Sequence, residues 1–144
     1  MNKTLIILIL AVIVLSWNFI FTDSKKLELT DSAKVLQGLS MAMKYKTAIN
    51  EYWKDTGSLP DVDVWQKSGK KIEVDLSKSL VKNIEVGVDG AGVISVYFTN
   101  KETIKLAKEI DGTKVMLIPE PKGERLAWGC KGTLEKEYLP KKCQ

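Results

Sequence analysis

Ile84-Glu85-Val86-Gly87-Val88 and Val93-Ile94-Ser95-Val96-Tyr97-Phe98, held apart by Asp89-Gly90-Ala91-Gly92, decide the fold. The period of two, with turn chemistry at the centre, predicts an antiparallel hairpin. Tyr97 and Phe98 are adjacent, so they should cover opposite faces of their strand. A third strand is expected over Lys114–Ile118, entered through Asp111-Gly112 and stopped by Pro119, and a fourth over Arg125–Cys130. Asn100–Ile110 reads as either a short helix or an ordered loop.

Upstream of the hairpin the period changes. Over Ser32–Trp53, Val35, Leu39, Ala42, Ile49 and Tyr52/Trp53 fall on one helical stripe, with Lys34, Gln37, Lys44, Lys46 and Glu51 mostly off it. Thr30, Asp31 and Ser32 offer N-caps, and Gly57 and Pro60 close the segment. A helix followed by about four antiparallel strands predicts an α+β domain with the sheet packed on the helix. Tyr45, Tyr52 and Trp53 are expected in that packing, whereas Trp65, in a loop, reads as packing if buried and as a subunit contact if exposed.

The chain has 144 residues, Lys+Arg 22 against Asp+Glu 18, no histidine and two cysteines. Without histidine there is no Ser-His-Asp triad, Cys-His pair or His-ligated metal, and two cysteines cannot complete a structural zinc site. No cofactor is expected. Apart from Lys3, every charge lies at or beyond Asp23. Thr4–Thr22 is uncharged, and a helix of that length would rise about 28 Å, close to a bilayer core. A cleaved signal is the rival reading, but Ser16-Trp17-Asn18-Phe19 offers no A-x-A-like site, and Trp17 suits a membrane interface. The expectation is an anchor over residues 1–24 (with Leu5, Ile6, Ile7 and Trp17) and a globular domain over residues 25–144. The anchor half and the amphipathic half would form one long N-terminal helix.

Lys3 against Lys25 and Lys26 leaves the orientation of such an anchor nearly tied. Cys130 and Cys143 break the tie. A pair closing so short a loop reads as a disulfide, which belongs outside the cytosol; two reduced thiols are the alternative. The expected topology is amino terminus inside and domain outside.

This order of parts resembles a type IV pilin. Leu126-Ala127-Trp128-Gly129-Cys130 with Tyr138-Leu139-Pro140-Lys141-Lys142-Cys143 is similar to the W-x-C … Y-L-P-x-x-C ending of many type IVa pilins. Gly112–Pro119 resembles the strand before that ending, and Lys46-Thr47-Ala48-Ile49-Asn50-Glu51-Tyr52 resembles the end of the family's first helix. The resemblance implies a structural subunit in the bacterial inner membrane, single-pass with a periplasmic domain, which packs its apolar helix against other pilin subunits or pilus assembly proteins. Adhesion, motility or DNA uptake would follow from the fibre. Against the family's F-T-L-I-E, only Thr4, Leu5 and Ile6 match; Lys3 stands at the Phe and Ile7 at the Glu. An atypical N-terminus without the prepilin leader or the Glu is therefore expected, and the protein reads either as a fibre subunit or as an uncleaved accessory protein.

Two other classes of function are weighed against this one. A binding module would use Lys122, Arg125, Lys131, Lys136, Lys141 and Lys142 beside Trp128 and Tyr138 to hold nucleic acid. Glu124, Glu135 and Glu137 interleave with those lysines and favour a mixed solvated face instead. An enzyme would use the carboxylate pairs Asp61/Asp63 or Glu109/Asp111, but nothing marks a cleft, and Gly87, Gly90 and Gly92 lie in a hairpin rather than a phosphate loop.

Overall fold

A computed structural model of the chain describes residues 30–144. The expected anchor with Leu5, Ile6, Ile7 and Trp17 lies outside the described residues. Among the described residues, no helix is long and apolar enough to cross a membrane.

The helix forms where the apolar stripe predicts it. It comprises α1 (Asp31–Met41) and α2 (Met43–Thr56), interrupted only at Ala42. Thr30 caps the start by accepting from the Ala33 amide at 3.2 Å, and Asp31 pairs with Lys34 at 2.9 Å. At Ala42 the ladder tightens, its N–H donating to the Leu39 carbonyl at 3.1 Å. The helix stops at Gly57, whose positive φ of 68° returns its N–H to the Trp53 carbonyl.

After Pro60 comes α3 (Val62–Lys67), which the periodicity did not predict. Six residues are too few for a stripe to show, although Asp61 is a sound N-cap and accepts from the Val64 amide at 2.8 Å. Trp65 lies on this short helix, half-buried against the core, so its role is packing.

Four strands, β1 (Val81–Val86), β2 (Ile94–Phe98), β3 (Lys114–Lys122) and β4 (Arg125–Gly132), form an antiparallel meander in sequence order. Ile84 pairs with Val96, Val96 with Val115, and Val115 with Gly132, so one face presents a continuous apolar layer to the helix. Val35, Ala42 and Ile49 from the helix meet Ile94, Val96, Phe98 and Val115 from the sheet in one buried core. Phe98 is buried and Tyr97 is on the other face, as expected. Gly38 sets the closeness of this contact, because a Cβ there would lie 2.8 Å from Val81 Cγ2 and 2.9 Å from Phe98 Cε1.

Pro119 does not stop β3. Pairing with β2 ends at Leu117, while pairing with β4 continues through Pro119, Pro121 and Lys122. Beyond Leu117 one side of the strand has no ladder, so the missing N–H of a proline breaks nothing there. The segment Asn100–Ile110 is an ordered loop rather than a helix. Asn100 ties it, accepting from the Leu106 amide at 2.8 Å and donating to the Lys108 carbonyl at 2.9 Å, while Leu106 and Ile110 are buried.

Candidate interaction surface

Cys130 and Cys143 form a disulfide. It fixes the chain end onto β4, and Leu134, Tyr138 and Leu139 anchor the intervening loop in the core. Leu139 occupies the space left by the missing side chain of Gly132, where a Cβ would meet it at 2.6 Å. Tyr138, which the sequence places beside the lysines as a surface aromatic, is buried.

The C-terminal lysines do not form a single patch. Lys131, Lys136, Lys141 and Lys142 are all exposed. Lys131, opposite Met116 in the sheet, and Lys136 line one recess together, along with Glu120, Cys130, Cys143 and Gln144. Lys142 is close enough to Lys46 on the helix for its charge to add to the lowering of the Lys46 pKa.

A different basic and aromatic set does converge. Along α2, Lys46, Asn50, Trp53 and Lys54 follow helical spacing and share a stripe beside β4. The Lys46 ammonium sits 5.0 Å over the Trp128 ring, and the Trp128 indole N–H donates to Asn50 Oδ1 at 3.4 Å. Burial, followed by the positive charge of Lys142, holds Lys46 below the ordinary lysine range. Farther along, Trp53, Lys54, Gly57, Glu124 and Arg125 line a cleft of about 570 Å³, which adjoins one of about 280 Å³ reaching Asn50 and Leu126. Among the described residues, no carboxylate lies within 4.0 Å of Lys46, Lys54, Arg125 or Lys142. The seam is thus cationic with an apolar floor. Helical spacing alone could have grouped its α2 members, but nothing local in the sequence pairs them with β4.

The carboxylate pairs carry local structural duties. Asp61 caps α3, while Glu109 accepts from the Ile110 amide at 2.9 Å and the Asp111 amide at 3.1 Å. Glu135 and Glu137 face Lys108 at 2.6 and 3.5 Å, which holds the Glu135 carboxyl below its usual range. On the face away from the helix, the fully buried Ser95 donates to Asp89 at 2.5 Å, and Lys114 pairs with the same carboxylate at 2.5 Å.

The helix also leaves apolar side chains uncovered. Leu36 is 49% exposed and Met43 55% exposed, one heptad apart and about 100° round the helix from the buried stripe of Val35 and Ala42.

The family model described as Pilin (bacterial filament) matches residues 32–144, from the first turn of α1 to the last residue. No curated protein matches the chain. A capped helix laid on a four-stranded meander and closed by a C-terminal disulfide agrees with that match. The chain belongs to the pilin family of bacterial filaments and is a type IV pilin-like structural protein.

Proposed function

We propose that the chain is a membrane-anchored subunit of a type IV pilus fibre. The anchor is residues 1–24, and residues 25–144 form a head outside the cytosol. The observation that carries this reading is the family match over residues 32–144, on a head whose helix leaves Leu36 and Met43 exposed beside its buried stripe. These two apolar side chains suit packing against other subunits once the fibre draws the anchors together. The disulfide supports a location outside the cytosol. Leu5, Ile6 and Ile7 would enter the fibre core, with Trp17 near the membrane interface before assembly.

Sheared surface fibres tested with antibody to the head, together with intact-mass measurement of the N-terminus, examine the reading. The chain should co-purify with fibres. Its absence from them, combined with an intact Met1 in the membrane fraction, would make it an accessory protein instead.

A second reading, an uncleaved single-pass module contacting DNA, draws on the cationic seam of Lys46, Lys54, Arg125 and Lys142. Salt-dependent gel retardation by the full chain would support it, and no retardation at low salt would remove it.

A further inference from the structure

Among the described residues four large apolar side chains are exposed; two are on the helix, and the other two are on segments that meet elsewhere. Val64 is 37% exposed and Val88 53% exposed. Gly87 brings their two segments together. Its backbone lies so close to Asp61 and Val62 that a Cβ would sit 2.6 Å from the Asp61 carbonyl carbon, and its φ of 84° suits glycine. The β1–β2 turn carrying Val88 is therefore held beside the start of α3, where Val64 directly follows two exposed acids, Asp61 and Asp63. Among the described residues no Lys or Arg lies within 4.0 Å of either acid. The result is an acidic, apolar knob.

The knob sits at the β1–β2 turn and the clefts of the seam at the β3–β4 turn, the first and last hairpins of the meander, whose turns lie at the same end of the sheet. The knob adjoins β1 at one edge of the sheet, and the seam runs along β4 at the other. Their chemistry is complementary. The seam offers Lys54 and Arg125 around clefts floored by Trp53 and Leu126, with Glu124 as the one acid lining them. Tryptophan and arginine are the side chains that most often dominate protein interfaces.

We propose that the knob of one copy docks into the seam of the next, with Val64 and Val88 against Trp53 and Leu126, and Asp61 and Asp63 facing Lys54 and Arg125. This rests on the fibre-subunit reading. Because the two patches differ, a contact in which each copy gives its knob to one neighbour and its seam to another is heterologous. It leaves a free knob and a free seam on every pair, so it propagates. Charge complementarity fixes which patch meets which.

The test uses the full-length chain carrying a benzophenone amino acid at Val64 or, separately, at Leu36, in an equal mixture of light and heavy isotope copies. Illumination from position 64 should capture peptides containing Trp53–Lys54 or Glu124–Leu126 of a different copy. Lys54→Glu with Arg125→Glu should lower that capture by about tenfold, and Asp63→Lys added to Lys54→Glu should restore most of it. Asp61 is left intact because it caps α3. Capture between copies from position 36 with none from position 64 would overturn the docking while leaving the subunit reading in place. Capture of another protein from position 64 would overturn the docking as well. Absence of capture between copies from both positions would overturn both.

Discussion

The Lys46 ammonium lies 5.0 Å above the centre of the Trp128 ring, joining the helix to the edge strand by a contact between residues far apart in the chain. Lys142 is near enough to repel that ammonium. Replacing Lys46 with Ala should therefore lower stability by about 0.5–1 kcal/mol, the usual range for an exposed cation–π contact. Lys142→Glu should act in the opposite direction, turning repulsion into attraction and raising the Lys46 pKa. Titration of the Lys46 side chain by NMR in both proteins checks the sign; an unchanged pKa in Lys142→Glu would count against the coupling.

Gly38 predicts a cost that its helical position would not suggest. Alanine favours a helix over glycine by about 1 kcal/mol. Here its methyl would overlap Val81 and Phe98, and overpacking a core costs about 1–3 kcal/mol. Gly38→Ala should be a net loss of up to about 2 kcal/mol in urea unfolding. A stabilised Gly38→Ala would show that the helix can lift from the sheet freely.

The disulfide predicts that alkylation without reductant leaves the intact mass unchanged. Removing it by a double Cys130→Ser, Cys143→Ser change should cost about 3 kcal/mol, because it frees a short loop in the unfolded chain. The loss should be felt at Leu134, Tyr138 and Leu139, which the bridge holds in the core. Hydrogen exchange over residues 133–143, compared before and after the change, measures it. Unaltered protection there would mean the loop holds itself.

Asp89 predicts an acid limb in the stability curve. The Lys114 ammonium first, then the Ser95 hydroxyl, hold its carboxyl below the usual range. A depressed folded value means the stabilisation is present above the ordinary carboxylate value and is lost as pH falls through the folded one. Lys114, raised chiefly by Asp89, gives the mirror case; its contribution is complete below the ordinary lysine value and fades as pH rises through the folded one. The stability gap between wild type and Asp89→Asn should therefore be widest near neutrality and shrink toward pH about 3, below the ordinary carboxylate value. A gap independent of pH would reject the ion pair as its source.

Much of this fold can be read locally. Val86, Asp89-Gly90-Ala91-Gly92 and Ile94 state a hairpin over one short stretch, and Val35, Ala42 and Ile49 state a helical face. Pro119 misleads because a proline ends a central strand but is tolerated once the neighbouring strand has run out. Tyr138, between Glu137 and the end of the chain, looks like a surface residue until the disulfide turns the loop inward. The seam is the least legible feature. Lys46 and Asn50 reveal a stripe, but their partner Trp128 stands 78 residues from Asn50, and no local rule pairs them.

That separation bears on the order in which the head takes shape. Each strand pairs with its neighbour in the chain, so every ladder closes over a modest stretch of intervening residues. The entropic cost of closing a loop grows with its length, and non-local contacts slow folding. Asn50 reaching Trp128 requires a far longer closure than any strand pairing. Chain entropy thus favours a sequence of events in which the hairpins zip first and the helix lands last on a finished sheet, with Gly38 leaving room for its arrival.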